Sequence, residues 1–323
     1  MFQDFKIAYL REHVKIREEQ RLSFLRQSVA YVLTQSAQQI PHAAMVTHFD
    51  VTHLVNYGKA GDELLAGGAE KMDEKTLLKR AVHRNFSAFV IKAFAHALHH
   101  VPCMNGFLDY TPWRNGGTLY VAEDINVSFT VHTKFGVIKP IVRNPHKKDL
   151  LTVASEMRVL TRRARRTDAN ALYQRVATTY LKAALRQFDL SSLQALWILL
   201  RSRLWRKEPL DPQFKDVPEE DRLQVGDVLG ATITIANIGM MLPGNQTVTV
   251  IIPPEVMMFG VGDLHLAPKV VDGQVVARYV LGVTGTMDHR AFDAGEAFPI
   301  YQHLKRYFDN PELIFDWKEG DGI

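Results

Sequence analysis

Apolar residues recur at two periods along this chain, and together the two periods predict alternating helices and strands. Steps of three and four residues, which place apolar side chains on one helix face, mark several long stretches. These helical stretches cover residues 1–38, 86–99, 150–166, 167–222 and 296–308. Apolar runs rich in β-branched residues predict strands. The predicted strands cover residues 43–51, 118–121, 125–131, 137–142, 230–235, 247–252 and 277–283. Residues 58–68 are rich in turn formers and predict a loop.

Strand blocks separated by long helices indicate an α/β sandwich in which helices pack on a mixed sheet. Residues 167–222 differ in character, because they are helical, rich in Leu and Arg, and end in several prolines. Within them, residues 190–207 form a basic amphipathic stretch that fits a membrane surface. The same stretch fits packing on the core or on a neighbouring subunit, which is the usual use of an amphipathic helix.

The composition supports a globular protein. Of the 323 residues, 46% are hydrophobic and 23% are charged, which argues against a disordered or fibrous chain. Cys103 is the only cysteine, so no intrachain disulfide forms, and we expect a reducing, cytoplasmic location. No secretory signal pattern and no apolar run long enough to span a bilayer is present in the sequence. The net charge of +4 fits a soluble protein, or one that prefers phosphate-bearing ligands.

The candidate chemistry centres on His289, which lies between a predicted strand and a predicted helix. Asp293 stands at the predicted helix start, where capping and the helix dipole favour an aspartate. A histidine takes a proton from a thiol or hydroxyl at neutral pH, and a nearby carboxylate orients its ring. With 13 histidines in the chain, chance supplies about one such spacing. Spacing alone therefore favours a surface histidine beside a helix cap.

Other side-chain clusters give weaker signals. His99 and His100 adjoin no carboxylate or thiol at ligand spacing, so no metal site is predicted. The basic run at residues 162–166 lacks interleaved aromatic residues, which favours a solvated helix face over nucleic-acid binding. Cys103 shows no sign of activation.

The segment Gly285–Gly295 resembles the signature of a known family, the catalytic domain of the dihydrolipoyl acyltransferase component of 2-oxo acid dehydrogenase complexes. That family shares its fold with chloramphenicol acetyltransferase. Further segments resemble the family in the same order along the chain. They are residues 34–42, 50–54, 86–93, 102–105, 125–140, 234–239 and 253–256. The resemblance covers residues 20–165 and 223–318, and several collinear motifs are far more specific than one spacing.

The resemblance implies an architecture. We expect a chloramphenicol acetyltransferase-like two-layer α/β sandwich over residues 1–323, as a single acyltransferase-like domain. Residues 167–222 form a helical insertion without a counterpart in the family. No lipoyl attachment site and no peripheral-subunit-binding domain is recognised. The chain opens on Met1 and runs straight into the core, which favours a stand-alone protein over an excised domain.

The resemblance also implies a mechanism. His289 would deprotonate the thiol of coenzyme A or of dihydrolipoamide, with coenzyme A or acyl-coenzyme A as substrate. Coenzyme A contacts would fall at Ser87, Asn237 and Gly262, although Ser87 fits a helix N-cap equally well and Gly262 a turn glycine. Arg26 is the candidate ion-pair partner of Asp293. The family's active sites lie at trimer interfaces, so a homotrimer or a multiple of trimers is expected.

The chain departs from the family at several positions. Ala236 replaces the serine that donates to the oxyanion, and the loss of one such donor typically costs about 10²–10³ in rate. Thr234 shares the strand face of residue 236 and could substitute for that serine. His132 stands where the family usually has an aspartate near the coenzyme. Ala294 replaces the signature's glycine, which is a small change.

Two functions follow from these residues, and a third depends on residues 190–207. The leading hypothesis is a coenzyme A-dependent acyltransferase whose acceptor is a dihydrolipoamide-like thiol, brought by a lipoyl-bearing protein in trans, or another small molecule. The alternative is a non-catalytic scaffold or assembly protein that has lost the oxyanion-stabilising serine at Ala236. The third is an acyltransferase docked on a membrane through residues 190–207. No nucleic-acid partner is expected.

Overall fold

The computed structural model describes residues 2–66, 85–111, 116–134, 136–186, 211–237 and 245–314. The helices in these ranges are α1 (Phe2–His13), α2 (Phe24–Gln39), α3 (Thr52–Ala66), α4 (Phe86–His100), α5 (Leu150–Arg165), α6 (Ala169–Arg186) and α7 (Ala294–Asp309). The strands are β1 (His42–Asp50), β2 (Gly106–Asp109), β3 (Thr118–Val121), β4 (Asn126–Phe129), β5 (Val131–Thr133), β6 (Gly136–Ile138), β7 (Ile141–Arg143), β8 (Ile233–Asn237), β9 (Met257–Val271) and β10 (Gln274–Asp288).

The main sheet is mixed, as the sequence predicts. Its strands lie in the order β1-β10-β9-β8-β4-β7. β8 runs parallel to both β4 and β9, and the other neighbours are antiparallel. β9 and β10 form a long hairpin whose turn, Asp272-Gly273, has positive φ at both residues, as a tight hairpin requires. Two small two-stranded sheets, β2-β3 and β5-β6, lie outside it.

Helix α4 forms the centre of the core. Its residues from Ala88 to Leu98 are all buried, and all but Lys92 and His96 are apolar, as expected for a helix surrounded by the core. The ring of Phe94 lies 4.6 Å from that of Phe259 on β9, measured between centroids. Helix α7 packs beside α4 through an apolar stripe that ends in the buried Tyr307 and Phe308. A layer of helices on a mixed sheet confirms the predicted fold class.

Several predicted elements have different bounds in the structure, and two of these differences have a clear cause. The helix expected over residues 1–38 is two helices, because residues 14–21 are exposed and no packing supports a helix there. Ser23 starts the second helix by accepting a hydrogen bond from the backbone N–H of Arg26, at 3.3 Å. The loop predicted over residues 58–68 is wrong as far as Ala66, because α3 continues through its glycines after burying Leu54 and Val55.

The strand predicted over residues 247–252 is also wrong. This segment forms no backbone ladder and contacts the face of the sheet through its side chains. Ile251 is fully buried, and the hydroxyl of Thr249 donates to that of Thr286 at 3.0 Å. Apolar β-branched residues therefore reflect burial here rather than strand pairing.

The insertion predicted over residues 167–222 is described in part. It contains α6, then the 3-10 turns Pro212–Phe214 and Glu219–Asp221. Residues 187–210 lie outside the described residues, and with them the amphipathic stretch 190–207. Among the helices that are described, none combines the length and apolar character that a bilayer crossing needs.

The buried histidine of α4 makes stability depend on pH. Burial, with Lys92 and His146 nearby, lowers the pKa of His96 to about 2, below its ordinary value of 6.5. As pH falls below 6.5, the unfolded chain takes up this proton and the folded chain does not. We expect the free energy of unfolding to fall by about 1.4 kcal/mol per pH unit on this account.

The substitution His96→Leu should reduce this loss, as measured by urea unfolding between pH 7 and pH 5. His13→Gln, at an exposed histidine of α1, is the control and should leave the slope unchanged. An equal pH slope in the wild type and in His96→Leu would contradict the assignment.

Candidate active site

His289 lies in a short loop whose backbone is fixed by the strands around it. β10 ends at Asp288, and α7 begins at Ala294. The backbone N–H of Asp288 donates to the carbonyl of Val256 at 2.9 Å. The N–H of His289 donates to the carbonyl of Pro41 at 3.2 Å. The loop is therefore attached both to the approach to β9 and to the start of β1.

An ion pair inside the loop holds its shape. The carboxylate of Asp288 is buried and accepts hydrogen bonds from Arg290 at Nε (2.9 Å), Nη2 (2.7 Å) and the backbone N (3.0 Å). The guanidinium of Arg290 also lies 5.1 Å from the ring centroid of Tyr110. The bidentate contact between Arg290 and Asp288 holds the turn between these residues and so orients His289.

His289 and Asp293 are in contact. His289 Nδ1 lies 3.2 Å from Asp293 Oδ1, and the histidine side chain is 47% exposed. If Nδ1–H donates to this carboxylate, Nε2 is left as the proton-accepting nitrogen. Asp293 is also the N-cap of α7, and Glu296 accepts a hydrogen bond from its backbone N–H at 2.9 Å. Arg26, exposed on α2, forms no ion pair with Asp293 within the described residues.

A cavity of about 1060 Å³ lies between the start of α4, strands β4, β5 and β8, and helix α5. Ser87 and Asn237 both line it, and Asn237 Nδ2 donates to Ser87 Oγ at 3.3 Å. His132, for which the family resemblance implies a place near the coenzyme, lines the same cavity. The structure thus brings these three residues together.

The alternative local roles considered for two of the predicted contact residues, an N-cap for Ser87 and a turn glycine for Gly262, are both wrong. Ser87 is the second residue of α4 rather than its N-cap, which is Asn85. Gly262 lies in strand β9 rather than in a turn, and it is not among the residues that line the cavity. A Cβ at Gly262 would come within 3.0 Å of the carbonyl oxygen of Asn245, so close backbone approach explains this glycine.

His289 does not line this cavity either. One chain therefore presents two separate features, a histidine–aspartate pair on a loop and a large cavity beside α5. No cluster of three or more potential metal ligands occurs in the ranges that the structure describes.

Ala236 and Thr234 lie on one face of β8, and neither offers an accessible hydroxyl. Ala236 belongs to a small buried apolar cluster. The other members are Ile40, Ile251 and Met258. Thr234 is fully buried, and its hydroxyl lies 2.8 Å from that of Ser128 and donates to Glu255 Oε1 at 3.0 Å. The idea that Thr234 replaces the missing serine is wrong for this arrangement, because its hydroxyl is already engaged.

Sequence reasoning missed two ionisable groups near Thr234, the buried Glu255 and the partly buried Lys139. Burial raises the pKa of Glu255 above its ordinary value, against the opposing effects of Lys139 and Thr234. Burial likewise lowers the pKa of Lys139, against the opposing charge of Glu255. Both residues occur in the segments that carry the family resemblance, but only the fold places them together.

The family model "2-oxoacid dehydrogenases acyltransferase (catalytic domain)" matches residues 15–174 and 215–315. Among curated proteins, the chain is similar to the dihydrolipoyllysine-residue acetyltransferase component of the pyruvate dehydrogenase complex of Staphylococcus aureus, with 23% identity over 296 residues. The Staphylococcus epidermidis protein of the same name matches at the same identity. In both cases the match covers 91% of this chain and 52% of the relative, so the chain spans about half the length of these relatives.

Solved structures give the same likeness. Dihydrolipoamide acetyltransferase of Azotobacter vinelandii aligns with a TM-score of 0.62 and 21% identity, over 94% of this chain and 95% of that one. The probable dihydrolipoamide acetyltransferase of Listeria monocytogenes aligns with a TM-score of 0.60 and 20% identity, over 95% and 97%. At these identities the likeness shows a shared fold.

The ion pair between Asp288 and Arg290 should matter for stability because the carboxylate is buried. We expect Asp288→Asn to lower the free energy of unfolding by about 1–3 kcal/mol, since it weakens a charged hydrogen-bond network. Asp309→Asn removes the exposed pair with Lys305 and should cost less than about 1 kcal/mol. Denaturant unfolding of both variants measures the difference, and equal losses would contradict the role given to Asp288.

Proposed function

The chain belongs to the family of 2-oxoacid dehydrogenase acyltransferases (catalytic domain), and on that premise we propose that it moves an acyl group between coenzyme A and an acceptor. The acceptor is a dihydrolipoamide-like thiol or another small molecule. The observation that carries the proposal is the contact of 3.2 Å between His289 Nδ1 and Asp293 Oδ1. The buried pair of Asp288 and Arg290 fixes the loop that holds this histidine.

His289 acts as the general base. Nε2 takes the proton from the attacking thiol, and the thiolate attacks the carbonyl carbon of the other partner's thioester. The bond between that carbon and the leaving sulfur breaks, and the leaving thiolate takes the proton back from the imidazolium. Asp293 orients the ring and stabilises its charged form between these two steps.

The cavity beside α5 is the coenzyme site. Its volume of about 1060 Å³ lies at the upper end of ordinary ligand pockets, which suits an extended molecule. Ser87 and Asn237 supply polar contacts at its wall. The cavity supports a coenzyme role for these two residues and gives no support for one at Gly262.

The complete site forms between copies of the chain. His289 does not line the cavity of its own chain, so a second copy brings the histidine to the coenzyme. This arrangement fits a homotrimer or a multiple of trimers, and one structural relative is the cubic core of the pyruvate dehydrogenase multienzyme complex. A lipoyl-bearing protein delivers the thiol acceptor in trans. A cytoplasmic location belongs to the same proposal.

A second candidate function is a non-catalytic scaffold, and Ala236 is the observation that favours it. This residue has no hydroxyl, and the hydroxyl of Thr234 is buried against Ser128 and Glu255. An oxyanion without its donor raises the barrier to acyl transfer, while the fold and the assembly are unaffected.

The substitution His289→Ala should separate the two functions. If the histidine is the general base, acyl transfer between acyl-coenzyme A and dihydrolipoamide falls by about 10²–10⁴ while coenzyme binding persists. His53→Ala, at an exposed histidine on α3, should leave turnover unchanged. Unchanged turnover in His289→Ala would show the mechanism to be wrong. A wild-type protein that binds no coenzyme at all would favour the scaffold.

The substitution Ala236→Ser tests the missing donor directly. A serine hydroxyl at this position should raise turnover by up to about 10²–10³, with a smaller effect on coenzyme affinity. Ala236→Cys is the matched control, because a thiol of similar size is a weak hydrogen-bond donor. Equal turnover in Ala236→Ser and Ala236→Cys would remove the oxyanion role from residue 236.

A further inference from the structure

Helix α5 presents a row of arginines to the cavity. Arg158, Arg162 and Arg165 follow one another at steps of four and three residues, which places them on one helix face. All three line the cavity, and all three are exposed at its edge. Two of them belong to the basic run that the sequence assigns to a solvated helix face. The fold places that face beside a cavity instead.

Of the four arginines on this wall, only Arg166 has an acidic partner among the residues that the structure describes. Arg166, which also lines the cavity, is paired with Asp221 at 2.7 Å. Arg158, Arg162 and Arg165 have no ion-pair partner within the described part of the chain. No aspartate or glutamate occurs among the described residues that line the cavity. A cleft lined by charge of one sign concentrates ligands of the opposite sign.

The deeper walls of the cavity have a different chemistry. Phe129, Ile235 and Val261 supply buried apolar surface from the strands. Ser87 and Asn237 add uncharged polar groups beside it. The cavity is therefore cationic at its exposed edge and mostly apolar inside. A ligand that fits carries several phosphates at one end and a long, weakly polar arm at the other.

We propose that Arg158, Arg162 and Arg165 bind the phosphates of the adenosine half of coenzyme A, so that the cavity selects the phosphorylated coenzyme over its pantetheine part. This inference rests on the proposed function, because it assumes that coenzyme A occupies the cavity. Guanidinium groups bind phosphate oxygens through paired, charge-assisted hydrogen bonds. The reactive pantetheine arm then extends along the apolar walls towards the place where a neighbouring copy supplies His289.

The test compares coenzyme A, 3′-dephospho-coenzyme A and pantetheine by isothermal titration calorimetry on the full chain. The wild type should bind coenzyme A at least about tenfold more tightly than pantetheine, with 3′-dephospho-coenzyme A between them. The affinity for coenzyme A should fall as salt is raised, and that for pantetheine should not.

Arg162→Gln should weaken coenzyme A binding about tenfold and leave pantetheine binding unchanged. Arg163→Gln is the matched control, because Arg163 is the next residue on the same helix and does not line the cavity. Thermal melting of both variants checks that they fold.

Several outcomes would overturn the inference. Equal affinities of the wild type for coenzyme A and pantetheine would overturn it while leaving the proposed function intact. Equal weakening of both ligands by Arg162→Gln, or equal effects of Arg162→Gln and Arg163→Gln, would do the same. Absence of binding by every one of these ligands would overturn the proposed function together with the inference.

Discussion

The carboxylate of Asp288 is buried at the end of β10, where water cannot satisfy it. A buried charge must be paired, and Arg290, two residues further on, supplies three hydrogen bonds to it. The chain therefore has to turn back on itself between these two residues. His289 is the residue at that turn, so its exposure and direction follow from the need to neutralise its neighbour. The contact with Asp293 then needs only a helix whose N-cap lies four residues later.

The two faces of strand β8 meet different surroundings. Ile235 and Asn237 point towards α4 and the cavity, whereas Thr234 and Ala236 point to the other face. On that other face, Ser128, Thr234 and Glu255 satisfy one another in a buried network. A hydroxyl in such a network stabilises the fold, and its proton is not free to be donated to a reacting oxyanion. The hydroxyl of Thr234 therefore does not replace the hydroxyl that Ala236 lacks.

The cavity and the histidine–aspartate pair occupy different parts of one chain. The cavity depends on the spacing between α4, α5 and the sheet, while His289 depends on the junction of β10 and α7. Under the proposed function, acyl transfer requires two copies to meet, so that activity would depend on assembly. Ala236 does not line the cavity, so the cavity walls do not depend directly on the side chain at that position.

The sequence by itself determined the elements whose burial pattern is local. The mostly apolar α4, the amphipathic α5 and α7 and the cap at Asp293 can all be predicted from spacing, because the helix geometry alone relates the side chains of one helix. The collinear motifs likewise predicted the family and the mixed sheet. Only the tertiary structure decided which surface each face meets. It turned the arginines of α5 towards a cavity, buried the hydroxyl of Thr234, extended α3 through its glycines and kept residues 247–252 from pairing as a strand. Each of these outcomes depends on contacts between residues far apart in the chain, and the local spacing of apolar residues carries no information about such contacts.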